Sequence, residues 1–181
     1  MRRTLFGIAL SILFLGASLP GAPPSPAQTS PSPLTREELQ RFLSEPLDFD
    51  LGRTSAEIRA SLGPPLKSRV TKTPNRHRPS QIDEVLTLVY PGLKQVMYKV
   101  NLQDSPAYEL PLETAITSPN YRLKLGLAVG APLERVRARL GPPAKEDRRT
   151  VTYEDDEGFL ALVFHHRSGV IRKIEYLRFP D

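Results

Sequence analysis

The sequence predicts an α+β fold, with two tandem helix-plus-antiparallel-meander repeats forming one sheet and the helices on one face. Three observations predict it. Residues 51–67 (LGRTSAEIRASLGPPLK) and 129–145 (VGAPLERVRARLGPPAK) match without a gap at a spacing of 78 residues, with eight of seventeen positions identical. Both segments close on the same helix stop, Gly63-Pro64-Pro65 and Gly141-Pro142-Pro143. After each stop come short apolar-alternating runs separated by turn residues, the pattern of an antiparallel meander.

The elements follow in order. Residues 1–27 read as a secretory signal peptide: Arg2 and Arg3 form the basic start, and residues 5–15 form an apolar run. That run is shorter than the roughly 20 residues needed to span a bilayer. Ser25 and Ala27 mark a cleavage site before Gln28, with a cut after Ser18 as the second choice. The alternative to cleavage is an uncleaved anchor. The basic pair fits an ordinary export signal better than a twin-arginine one. Residues 28–46 are expected to be a Pro-rich linker and a short helix. The prolines of 20–33 favour an extended tether. Thr35 and Glu38 then make a capping box, Leu39, Phe42 and Leu43 form an apolar stripe, and Pro46 ends the helix.

The first repeat is assigned to residues 47–122. Thr54 and Glu57 cap its helix, Ile58 and Leu62 face one way, and Gly63 supplies the C-terminal turn. Strands are expected over 84–90, 93–100 and 108–117, with Pro91-Gly92 as a turn. The second repeat is assigned to residues 123–181. Pro132 opens its helix, Leu133, Val136 and Leu140 line the buried face, and Arg135, Arg137 and Arg139 are expected to face mostly solvent. Its strands are expected over 150–154, 159–165 and 170–179. In the last of these neither the even nor the odd positions stay apolar throughout, which predicts a bulge that switches register.

The motif Gly-x(9)-Leu-Gly-Pro-Pro, found at 52–65 and again at 130–143, followed by a meander with an aromatic near the hairpin, resembles the SmpA/OmlA (BamE-type) module. Its tandem duplication is similar to the β-lactamase inhibitory protein fold. The resemblance covers about residues 51–179. It implies an exported, non-enzymatic protein that binds other proteins, as an envelope assembly factor or as an inhibitor. Two departures stand against transferring either activity. The sequence has no cysteine, so it can carry neither the lipid anchor of the first group nor the disulfides of the second.

Formal net charge is +5, and +3 without Arg2 and Arg3. Export argues against nucleic acid as the partner of this basic balance. Anionic envelope polymer, lipid head groups or an acidic protein surface remain, beside a plainly solvated surface. No transmembrane segment is expected in the mature chain, and no catalytic, cofactor or metal residues are assigned. His165 and His166 are neighbours on a strand and point to opposite faces, and His77 sits between two arginines. The acidic run 154–157 lacks the spacing of a calcium loop.

Two candidate binding features remain. Aligning Tyr90 with Tyr153 leaves about fifteen extra residues after the first stop, read as a loop carrying Lys67, Arg69, Lys72, Arg76 and Arg78. It is either a binding loop or a solvated connection. Tyr90 and Tyr153 are expected in the core, whereas Tyr98 and Tyr176 belong either to the core or to a binding surface on the open sheet face. The leading function is an exported protein-binding module of the cell envelope. The alternative is a binder of anionic envelope polymer or lipid through the basic loop.

Overall fold

A computed structural model of the chain describes residues 32–75, 77–101 and 107–179. The signal peptide, nearly all of the Pro-rich tether and Arg76 lie outside the described residues. The three helices are α1 (Arg36–Ser44), α2 (Ser55–Leu62) and α3 (Leu133–Leu140). Both expected capping boxes form: the Thr35 and Thr54 hydroxyls accept from the amides of Glu38 and Glu57, whose carboxylates reach back to the cap amides. Pro132 stands just before α3 rather than inside it. Gly63 and Gly141 end α2 and α3 with nearly the same backbone, φ 76°, ψ −164° and φ 82°, ψ −158°. The expected positive φ is present, but the extended ψ places both in a region that essentially only glycine adopts. Each glycine amide donates to the carbonyl four residues back, Arg59 or Arg137, at 2.9 Å.

Eight strands form one antiparallel sheet: β1 (Lys67–Pro74), β2 (Ile82–Tyr90), β3 (Leu93–Val100), β4 (Tyr108–Ile116), β7 (Lys145–Glu146), β8 (Thr150–Glu154), β9 (Leu160–Arg167) and β10 (Val170–Arg178). A separate two-stranded pair, β5 (Arg122–Leu123) and β6 (Leu127–Ala128), links β4 to α3. The spatial order is β1-β2-β3-β4-β10-β9-β8-β7. The strands before residue 117 thus form one half of the sheet and those after residue 144 the other. They are joined where β4 pairs with β10, Ile116 opposite Ile174 and Thr114 opposite Tyr176.

Alternation sorts the side chains between two faces. Leu88, Tyr90, Leu93, Met97 and Ile116, with Val151, Tyr153, Leu162, Phe164, Ile174 and Tyr176, pack under the helices. The helices bury Phe42 and Leu43, Ile58, and Leu133, Val136 and Leu140 against them. The bulge expected in the last strand is present: the β9–β10 register shifts between Ile171 and Lys173, so Ile171 and Ile174 both reach the core. A second shift falls between Val96 and Met97 on the β3–β4 ladder.

The two repeat helices differ in burial, and one expectation about α3 needs correction. Leu62 is only half-buried, whereas Leu140 is 1 % exposed, because α2 presents one fully buried side chain and α3 three. Arg135 is exposed, but Arg137 and Arg139 are half-buried, and Arg137 is paired with Glu134 and Glu146. No described helix is long and apolar enough to cross a membrane.

Candidate binding surfaces

The sheet face away from the helices has no layer over it among the described residues. Register places two rows of side chains across it. One runs Lys67, Val89, Lys94, Ala115, Glu175, Val163, Thr152 and Lys145. The next runs Arg69, Thr87, Val96, Glu113, Leu177, Ala161 and Glu154. Most of the central members are half-buried by their neighbours, and Ala115 and Ala161 are buried. Charges in the middle and at the β7 end of this face are paired: Lys94 with Glu113 at 2.7 Å, Lys145 with Glu154 at 2.8 Å, and Glu175 with both His165 at 2.5 Å and Lys173. Burial pushes the Glu175 carboxyl up, but the hydrogen bonds from Lys173 and His165 outweigh it and hold the group below the usual range.

The expected basic loop is not a loop. Lys67–Pro74 forms the edge strand β1, paired with β2 along its whole length. The extra residues of the first half therefore lengthen a hairpin. The counterpart in the second half, β7, has two residues. All but one of the β1 side chains are exposed, Arg69 and Lys72 among them. Arg69 stands on the uncovered face and Lys72 on the helix side, as their partners Thr87 and Glu84 do. Arg78 is exposed in the turn, where its amide donates to Asn75 Oδ1 at 3.0 Å.

Asp83, at the start of β2, is fully buried and makes no ion pair among the described residues. Its Oδ2 accepts from Tyr98 Oη at 2.5 Å and Asn75 Nδ2 at 2.6 Å. Its Oδ1 accepts from Gln81 Nε2 at 2.7 Å and the Asn101 amide at 3.0 Å. Four donors fill the lone pairs of both oxygens. Burial alone would raise the carboxyl, but these donors hold it at about 2. The cluster ties both ends of the β1–β2 turn to the end of β3. Tyr98 therefore lies half-buried on the uncovered face with its hydroxyl turned inward to Asp83, which in turn raises the phenol above its ordinary range. The sequence reading missed this cluster.

Tyr176 is not on the open face. It is 6 % exposed and packs in the core, and its hydroxyl donates to the Ser44 carbonyl of α1 at 3.2 Å. The register switch at the bulge turns it under the helices. Tyr90 and Tyr153 are both in the core, as expected, yet they differ. Tyr153 Oη donates to the Gly141 carbonyl at 2.9 Å, and burial pushes its hydroxyl up to about 12. Tyr90 Oη is buried with no hydrogen-bond partner among the described residues. On the helix side, a cleft of about 620 Å³ opens between the chain after α1 and the sheet. Its buried polar lining is Thr114 donating to Gln95 Oε1 at 2.6 Å. At its rim, Glu109 accepts from the Ser55 amide at 2.5 Å and the Ser55 hydroxyl at 2.9 Å, which caps α2. The acidic run is likewise structural: Asp156 binds Arg36 at 2.9 Å and Gln40 at 3.3 Å, fastening α1 to the β8–β9 hairpin.

No protein-family model, curated protein or solved structure matches the chain.

Proposed function

We propose that this chain is an exported, non-enzymatic protein-binding module of the cell envelope, and that the uncovered sheet face is its main binding surface. One observation carries the reading. Among the described residues, an eight-stranded sheet is covered by helices on one side only, and the other side offers Val85, Val96, Tyr98, Val163 and Leu177 among mostly paired charges. A surface of half-buried apolar groups interleaved with polar ones has the composition of a non-obligate protein interface. The two helix-stop-strand segments support a tandem duplication, in the manner of the SmpA/OmlA-type modules that the sequence resembles. Export rests on the basic start and apolar run of residues 1–27.

The test is capture from envelope extract with the mature chain and two face variants, Val96→Arg and Val163→Arg. Both side chains are partly exposed, so arginine can extend into solvent without opening the core. The expected outcome is a set of proteins held by the parent and lost by the variants, with melts little changed. Identical capture by parent and both variants would refute the uncovered face as the binding surface.

A further inference from the structure

We infer that the outer edge of β1 is a second interaction site, which takes an extended, acidic segment of a partner protein as an added antiparallel or parallel strand. The inference rests on the protein-binding reading above and names a partner chemistry for it.

The backbone gives the first argument. The Asn75 amide donates to the Gln81 carbonyl at 2.8 Å, and the β1–β2 register runs without a shift from Pro74 opposite Ile82 to Lys67 opposite Val89. In an antiparallel ladder, hydrogen-bonded and non-hydrogen-bonded pairs alternate. Thr73, Thr71, Arg69 and Lys67 therefore turn their amides and carbonyls toward β2. Ser68, Val70 and Lys72 turn theirs outward. Pro74 falls on the outward parity too, where its missing N–H costs the sheet nothing. Outside the strand, three donors without a backbone partner among the described residues, with their carbonyls, form a row long enough for a strand of about five residues.

Charge gives the second argument. Lys67, Arg69 and Lys72 have no carboxylate within 4.0 Å among the described residues. The opposite edge is treated differently. There β7 has two residues, Lys145 is paired with Glu154, and Arg137 is paired with Glu146. Cations on an edge strand discourage a second copy of the same chain from pairing there. The same cations favour an incoming strand that carries carboxylates. They flank the edge on both faces, Lys67 and Arg69 on one and Lys72 on the other, so acidic residues on either side of the incoming strand meet a partner. Val70, 53 % exposed between them, gives an apolar contact at the middle of the row. Recognition by strand addition draws affinity from main-chain bonds and selectivity from flanking side chains, and β1 supplies both.

The experiment uses the mature chain and a labelled peptide, Thr-Glu-Val-Glu-Val-Glu-Thr, at low salt. Two N-methylated forms of the peptide carry the same charge. In one, the methyl groups block the amides at alternate positions, and in the other they block the remaining amides. Strand addition predicts that one N-methyl register weakens binding at least tenfold and the other less than about twofold. It also predicts at least a tenfold loss for Val70→Pro, which removes an outward donor at a parity that already tolerates Pro74. Because the N-methyl pair is tested on the unaltered chain, the result stands even where Val70→Pro fails to fold. Equal weakening by both registers, or none, would overturn the inference. So would binding of polyglutamate or an anionic vesicle unchanged by Val70→Pro, which would point to simple charge attraction. The peptide reads β1 alone, whereas the Val163→Arg capture reads the sheet face. No peptide binding with capture still sensitive to Val163→Arg sinks the edge site and leaves the module reading in place. Selective peptide binding with insensitive capture keeps the edge site and the protein-binding reading and sinks the uncovered face as the binding surface.

Discussion

Removing one hydroxyl from Tyr98 tests how the basic ribbon is held. Tyr98→Phe keeps the ring on the uncovered face and deletes the shortest of the four bonds to Asp83, at 2.5 Å. Asp83 is fully buried and, among the described residues, its charge is held by hydrogen bonds without an ion pair. A hydrogen bond to a charged group contributes about 1.5–3 kcal/mol, and that is the expected loss of stability at pH 7. The pH dependence follows from the direction of the shift. Asp83 is lowered from 3.8 to about 2 in the folded chain. Its contribution is therefore complete above the unfolded value and is lost as pH falls through about 2. In Tyr98→Phe the folded value moves back toward the unfolded one, so less stability remains to be lost in acid. The gap between parent and variant should be widest at pH 5–7. At pH 2 it should shrink toward the roughly 0.5–1.5 kcal/mol of a neutral bond. Urea melts at pH 7 and pH 2, with carboxyl NMR of Asp83, measure both quantities. A variant within 0.5 kcal/mol of the parent at pH 7, or a gap that does not narrow in acid, would refute the account of this cluster.

Three further outcomes are expected. Leu140→Ala should cost about 2–5 kcal/mol in urea melts, and Leu62→Ala clearly less, since the first is 1 % exposed and the second half-buried. Tyr153→Phe should cost about 0.5–1.5 kcal/mol through its lost bond to Gly141, whereas Tyr90→Phe should be neutral or stabilising because it removes a buried hydroxyl without a partner. Gly63→Ala and Gly141→Ala should each cost about 1–3 kcal/mol by thermal melt, since both glycines sit where a side chain is strained.

The parts legible in the sequence are those where one face is buried. The β3 and β8 bounds match their apolar alternation, the helix starts match their capping boxes, and the broken pattern of the last strand marks a real bulge at Arg172. β1 was illegible for the opposite reason. Its side chains face solvent on both sides, so no period-2 signal survives, and Lys-Ser-Arg-Val-Thr-Lys-Thr-Pro reads as a charged connection. Only the β-branched Val70, Thr71 and Thr73 hint at a strand. Tyr176 was ambiguous because the bulge hides which parity faces the helices. The Asp83 cluster draws donors from Asn75, Gln81, Tyr98 and Asn101, a spacing that follows no motif. The one available signal was an aspartate inside the apolar-rich start of β2.

The two halves of the sheet differ more at their edges than in their cores. Their cores keep a common plan: Ile58 and Val136 are both fully buried, Gly63 and Gly141 share a backbone conformation, and Tyr90 and Tyr153 both lie under the helices. The edges do not. A sheet needs its two edges protected against chance pairing, and short strands or neutralised cations achieve this at little cost. The second half does both at β7. The first half instead carries an edge of eight residues with three unneutralised cations, and fixes the turn beyond it with a buried carboxylate and four donors. A solvated connection would need no such anchor. An edge that presents a row of backbone donors in a fixed direction benefits from one, so under the proposed strand addition, loosening the Asp83 cluster by Tyr98→Phe should also weaken peptide binding at β1.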